Sequence, residues 1–325
     1  MSKTKIQWAD EVWNPVTGCS KISEGCEHCY AERMAKRLSR AGMCPGKYAK
    51  GFKVTCHPEE LQRRFTGKGK RIFVCSMGDL FHEEVPFYFI DHVMGRIAGD
   101  HQHTFIVLTK RTQRMCEYFA ALQPVNIIGP AASAGGEEYA EVVEHQVRYN
   151  WPLPNLILMT TAENQQRADE RISWLLKCPA KVRGVSVEPM LSAVSLLKWT
   201  SEKSETSEKS ENGEVGRGGL VGRVGQVGQQ PGISWVICGG ESGPGARPLH
   251  PDWVRGLRDQ CQAAGTAFWF KQWGDAFVPE IHLHDCYSTT SPHGGDFLQC
   301  ADGAGRLFHE LPGAAEGPSE ISEKS

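Results

Sequence analysis

Cys19, Cys26 and Cys29 fall within eleven residues and form the densest group of chemically active side chains in the sequence. They lie in WNPVTGCSKISEGCEHCYAER, spaced C-x6-C-x2-C, just ahead of a stretch with helical character. Four thiolates would close every iron of a cubane [4Fe–4S] cluster, whereas three leave one iron open. S-adenosylmethionine (SAM) can chelate an open iron through its amino and carboxylate groups. A reduced cluster can then pass one electron into the sulfonium and release a 5′-deoxyadenosyl radical, the cofactor carrying the difficult step. Gly18 and Gly25 allow the backbone to wrap tightly, and Pro15 stiffens the approach. Structural zinc is the main competitor. It takes four Cys or His ligands, usually from two paired halves. Here a single CxxC has no second half, His28 sits inside it and His57 is remote. Unmetallated thiols are the third reading.

The elements that must position these residues are visible as short apolar runs: 71–77, 104–109, 156–161, 182–187, 234–239 and 267–270. They are continuous and rich in Val, Ile and Phe, as expected of strands buried on both faces of a parallel sheet. Helical stretches at 30–41, 86–99, 165–177 and 251–264 fall between them. The alternation predicts an α/β fold, a parallel βα-repeat in a partial or irregular TIM-like barrel. Each strand is followed by a charged or amide side chain: Asp79, Lys110, Glu163, Glu188, Glu241, and Lys271 with Gln272. In βα barrels the strand C-termini converge on one active face, so these residues are expected to share a site. A surface charge is the plain alternative for any one of them.

Composition bounds the rest. With 325 residues, 40% hydrophobic and 23% charged, the chain can bury a large core. No apolar run reaches the roughly 20 residues of a membrane span, and the N-terminus lacks the apolar core of a secretory signal. A cytoplasmic location and no membrane partner are therefore expected. Twelve cysteines then read as thiols or metal ligands rather than disulfides. The net charge is -2, yet residues 1–75 carry 15 Lys/Arg against 7 Asp/Glu. That basic region favours a nucleic acid or nucleotide substrate, with a solvated helix face as the bland reading. Residues 201–231 are a Ser/Glu/Lys run followed by Gly-rich repeats, expected to be a flexible insertion. The predicted organisation is a barrel domain over 1–280 interrupted by 201–231, then a C-terminal extension over 281–325 with a disordered tail.

The cysteine stretch resembles radical-SAM proteins of the spore photoproduct lyase type in Asn14, Pro15, Gly18 and Cys19, and in Cys29, Tyr30 and Ala31. It departs from their commonest spacing, because the first gap is six residues rather than three. A longer likeness, through KIQWADEVWNPVTGC, SMGDLFHEEVP, HTFIVLTKR, WPLPN, ADERI, GGESGPGARPLHPDWVR and FKQWG, resembles bacterial and phage "three-Cys-motif" proteins of unknown function. These are regarded as distant radical-SAM relatives. The resemblance implies a radical-SAM-type barrel, a [4Fe–4S] cluster on Cys19, Cys26 and Cys29, SAM, and an electron donor such as flavodoxin or ferredoxin.

Within that reading, the turn Ser76–Asp79 is the candidate for the SAM amino end. Gly239-Gly240-Glu241 could cradle a carboxylate or phosphate, although a tight turn explains its glycines equally well. Glu163, Glu188, Lys110 and Lys271 are the candidate catalytic side chains. Lys110 with Arg111 could bind the SAM carboxylate or a substrate phosphate, with a surface pair as the plain alternative. Trp273 could stack on adenine or a base, with core packing as the equal alternative. Cys75 and Cys238 are expected to be small core residues. His282, His284, Cys286, His293 and Cys300 form a loose set without diagnostic spacing. The competing function is a non-catalytic module in which iron–sulfur or zinc staples a nucleic-acid-binding fold.

Overall fold

Seven strands pair in parallel and in chain order: β1 (Glu11–Trp13), then, after an antiparallel pair of β2 (Val16–Thr17) and β3 (Thr55–Cys56), β4 (Arg71–Val74), β5 (Thr104–Thr109), β6 (Leu156–Thr161), β7 (Val182–Val187), β8 (Trp235–Gly239) and β9 (Ala267–Gln272). The structure is a computed structural model. It describes residue 4, residues 6–43, 45–200 and 232–276, and two short paired strands at 288–290 and 296–298. The helices are α1 (Tyr30–Arg40), α2 (Pro45–Tyr48), α3 (Phe87–Gly99), α4 (Thr112–Ala121), α5 (Ile128–Gly135), α6 (Glu137–Tyr149), α7 (Gln165–Leu175) and α8 (Pro251–Ala263). Among the described residues no helix is long and apolar enough to cross a membrane.

Alternation along each strand divides the apolar side chains into two cores. Ile72, Val74, Phe105, Val107, Leu158, Val185 and Val236 pack with helix residues such as Ile90, Met94, Met115, Ile172 and Leu257. The alternate set, Phe73, Ile106, Leu108, Ile157, Met159, Trp235, Ile237 and Trp269, packs on the opposite face around Trp8. Trp8 meets Phe73 and Trp235 edge-on, with ring centroids 4.7 and 5.9 Å apart. A parallel sheet wound in chain order with its helix core on one face has the winding of a βα barrel. Here the sheet is curled and partial, because β1 and β9 are not paired with each other among the described residues. The Trp8 cluster fills the inner face, which leaves the C-terminal strand ends as the open mouth.

The βα alternation is as expected, and β5, β6 and β7 fall on the predicted residues. Two differences carry weight. Glu11–Trp13 is an edge strand in register with Ile72–Val74, although the sequence reads as a lead-in to the cysteines. Helices α4, α5 and α6 fill the span between β5 and β6, where the sequence reading assigns none. Between β7 and β8 the described chain runs irregularly to Thr200, with Val194, Leu196 and Trp199 in the core. The expected flexibility of 201–231, most of the 281–325 extension and the loose Cys/His set lie outside the described residues.

Candidate cluster site at the barrel mouth

The period of two that builds the inner core also carries the polar strand ends to the same side. Ile106, Leu108 and Lys110 follow one face of β5, Ile157, Met159, Thr161 and Glu163 that of β6, and Trp235, Ile237, Gly239 and Glu241 that of β8. Glu188 continues β7 in the same phase, and Lys271, inside β9, keeps it too. The polar ends thus share a face for the same geometric reason that the apolar residues below them do.

Over this face runs the cysteine loop, residues 18–29. Its entry is fixed by Gly18, which adopts φ +82° and lies so close to Lys53 that an added Cβ would stand 2.1 Å from the Lys53 carbonyl oxygen. Gly18 N–H donates to the Met77 carbonyl at 2.9 Å, and Asn14 Oδ1 accepts from Ser76 Oγ at 3.2 Å and Met77 N–H at 3.1 Å. The Asn-Pro-x-x-Gly-Cys lead-in therefore docks β2 onto the turn after β4.

Three ion pairs then hold the loop, two of them buried and the third half-buried. Asp79 accepts from Thr109 Oγ1 at 2.7 Å and from Arg111 Nη1 at 3.3 Å. Arg111 also donates to Cys19 Sγ at 3.3 Å, to Ser20 Oγ at 2.8 Å and to Glu83 at 2.9 Å. On the next strand, Glu163 is fully buried. It accepts from Arg171 Nη1 at 2.7 Å and from the Ser23 hydroxyl, and a Cβ at Gly25 would lie 3.0 Å from its carboxyl. Beyond β8, Glu241 takes Arg247 through Nε at 3.0 Å and Nη2 at 2.7 Å, and Arg247 reaches on to the Glu24 carbonyl at 2.8 Å and Glu27 at 2.9 Å. Arg167 pairs with Glu24 at 3.2 Å, and Arg33 donates to the Ser242 carbonyl. The six-residue gap between Cys19 and Cys26 thereby acquires a role: Ser23 and Gly25 reach down to Glu163.

The electrostatics follow from this arrangement. Burial works to raise the Glu163 carboxyl, but Lys110 and Arg171 outweigh it and hold the group below the usual carboxylate range. Burial and the Asp79 charge push the Cys19 thiol up to about 11, against the pull of Arg111. For Cys26 burial also acts upward, yet Lys110, the backbone N–H groups of Ile22 and Ser23 and the Ser23 hydroxyl together bring the thiol below its ordinary value. The two cations from the β5 end thus stand beside two different thiols.

All three cysteines are free and half-buried. Among the described residues, no three His, Cys, Asp or Glu side chains are arranged to hold a metal ion. The donor set fits an anionic iron–sulfur cluster in number, type and surrounding charge, although the thiols do not form a coordination shell. Of the imidazoles near the loop, His57 bonds Thr17 and Glu59, and His82 bonds Ser20 and the Glu84 amide.

The predicted site residues fall into two groups. Asp79 and Glu241 are committed to arginines that hold the loop, Glu163 pairs with Arg171 and meets the loop itself, and Ser76 is bonded to Asn14. Lys271 Nζ meets Glu188 Oε1 at 2.5 Å, both partly exposed, and this pair with Lys110 makes no hydrogen bond to the cysteine loop. Cys75 and Cys238 are core residues as expected, and Trp273 packs on Phe270 at 4.8 Å beside the main core. Arg171 and Arg247 escaped assignment although ADERI and GPGARPLHP contain them; their i+8 and i+6 spacing from Glu163 and Glu241 was the available signal.

Fold and site together define an α/β protein with a partial TIM-like barrel whose mouth is spanned by a three-cysteine loop. The chain belongs to the family described as Protein of unknown function (DUF5131), whose profile matches residues 3–300. No curated protein matches it in sequence. Among solved structures it is similar to "Spore photoproduct lyase complexed with dinucleoside spore photoproduct" at 8% identity, over 91% of this chain and 69% of that one. The TM-score is 0.38, too low to carry an argument.

Proposed function

We propose that Cys19, Cys26 and Cys29 hold a [4Fe–4S] cluster over the barrel mouth and that the protein is an enzyme of the radical-SAM type. The observation that carries this reading is the loop itself: three free thiols set across the C-terminal strand ends, with Arg111 and Lys110 beside two of them. When bound, such a cluster with one open iron supplies single-electron reduction of the SAM sulfonium. The likeness of Asn14–Cys19 and Cys29–Ala31 to radical-SAM proteins, read from the sequence, supports the same assignment.

In this reading Asp79 and Glu241 are positioning residues that act through Arg111 and Arg247, and Glu163 is one that meets the loop directly at Ser23 and Gly25. The Ser76–Asp79 turn, bridged to Gly18 at the loop entry, would offer backbone rather than carboxylate to the cofactor. Lys110 and the Glu188–Lys271 pair bind and orient the polar part of the substrate. The reductant is an external one-electron donor of the flavodoxin or ferredoxin kind.

A specific observation also keeps the staple reading in play, because three of the polar strand ends are occupied in holding the loop. A structural cluster needs such anchors as much as a catalytic one does. Product formation separates the two. Protein reconstituted anaerobically and reduced with dithionite should convert SAM to 5′-deoxyadenosine, and cell extract should raise the rate if it contains the substrate. A coloured protein that leaves SAM intact under both conditions assigns the cluster to structure. A colourless protein carrying one zinc contradicts the cluster outright.

A further inference from the structure

The excursion between β2 and β3 is the part of the fold that a βα barrel does not require. Residues 30–53 carry seven Lys/Arg and one acidic residue, Glu32, in a chain whose net charge is -2. Helix α1 packs inward through Ala31, Met34, Ala35 and Leu38 against Tyr48, Phe52 and Met77. Its outer face presents Arg33, Lys36, Arg37 and Arg40, which line one open concavity.

Some of this charge is used internally. Lys36 pairs with Glu32 at 2.7 Å, Lys47 with Glu60, and Arg33 with the Ser242 carbonyl. Arg37, Arg40, Lys50 and Lys53 are exposed and form no ion pair or side-chain hydrogen bond among the described residues. Arg33 and Arg40 are seven residues apart, about 10 Å along the helix. The stripe begins at Tyr30, which is 59% exposed and follows Cys29 directly.

We propose that the outer face of α1, with Lys50 and Lys53, binds the phosphate backbone of a single-stranded nucleic acid and leads it across Tyr30 to the cysteine loop. Arginines one and two turns apart offer planar forks suited to successive phosphates. An exposed aromatic at the end of a basic track is a platform on which a base can stack. A lipid surface fits less well, because α1 spends its apolar face on Tyr48, Phe52 and Met77 and has none left to insert. The binding rests on this surface alone; only its connection to chemistry rests on the function proposed above.

The test is fluorescence anisotropy of the full-length protein with a labelled mixed-sequence DNA strand of about 20 nucleotides, long enough to cover one such track, titrated between about 50 and 200 mM salt. The affinity should fall steeply with salt. The R37E/R40E variant should bind about tenfold or more weakly and lower the slope of log K against log salt by about 1.4, two phosphate contacts at about 0.7 each. Y30A should weaken binding while leaving that slope unchanged, and K181E, remote from the track, should change neither. K50E/K53E gives a second reading should R37E/R40E lower the melting temperature. Binding unaffected by both double variants, or tighter binding to the matching duplex or to phosphatidylserine vesicles, would overturn the proposal. C26A should lose the cluster's colour yet bind the strand as the wild type does, whereas a wild type that stays colourless after reconstitution and still binds refutes the cluster and leaves this inference standing.

Discussion

Glu163→Ala is expected to destabilise the protein by about 3–5 kcal/mol, because it leaves the Arg171 guanidinium charged, buried and without its carboxylate. The pair has almost no solvent contact, with side-chain exposures of 3% and 0%. Screening therefore cannot absorb the loss. The same substitution removes the acceptor for the Ser23 hydroxyl and the wall against Gly25, so the cysteine loop should detach before the barrel melts. Thermal unfolding together with thiol accessibility at Cys26 would read both effects. Replacing both partners by Met should recover much of the stability, since a buried pair exchanged for apolar volume is often neutral, while leaving Cys26 accessible. Glu163→Ala with an unchanged melting temperature would show that the pair carries no such weight.

The pH dependence of this anchor has a definite sign. The Glu163 carboxyl lies below its ordinary value in the folded protein, as does that of Glu241, which is held down by Arg247 against burial. A carboxyl lowered by folding contributes stability that is complete above its unfolded value, 4.5 here, and is lost as pH falls through the folded one. The loop should therefore stay anchored through neutral pH and loosen only in acid. Glu163→Gln should reduce that acid sensitivity while lowering stability at neutral pH.

Gly18→Ala is expected to cost at least about 3 kcal/mol, through backbone strain and displacement of the neighbouring chain. The residue holds φ +82°, and the new Cβ would stand 2.1 Å from Lys53 O and 2.7 Å from Phe52 O, both backbone atoms that cannot rotate away. Gly42→Ala is the matched control. It also has positive φ, +63°, but meets nothing within 4 Å, so it should cost only the conformational part, about 1–2 kcal/mol. The difference between the two melting curves isolates the close approach that sets Cys19. Equal costs would mean that the loop entry can move.

What the sequence made legible follows from how local each signal is. The central strands are continuous apolar runs, and β5, β6 and β7 could be read residue by residue. The polar residues at the ends of β5 to β9 could also be read, because the period of two carries them onto a known face, whereas Asp79 is reached through the turn at Cys75, φ +60°. β1 escaped because three residues give no periodicity and its pairing partner, Ile72–Val74, lies about sixty residues away. The division of labour among the polar ends was not legible either. Glu163 as a catalytic carboxylate and Glu163 as an anchor have the same sequence signature. Only the approach of Arg171 and Ser23 separates them, and Ser23 comes from a loop 140 residues distant. The unusual first gap between the cysteines looked like a departure from a pattern; in the fold its residues are the ones that reach Glu163.

The decisive property of the molecule is whether three thiols of one loop hold one cluster. Iron and acid-labile sulfide should be counted after anaerobic reconstitution, alongside the visible absorbance, for the wild type and for Cys19→Ala, Cys26→Ala and Cys29→Ala separately. A cluster with three protein ligands predicts about four irons and four sulfides per chain in the wild type, with colour lost in each of the three variants and retained in a Cys116→Ala control. Full iron content in any one of the three variants, or a wild type that takes up zinc and no sulfide, would contradict it.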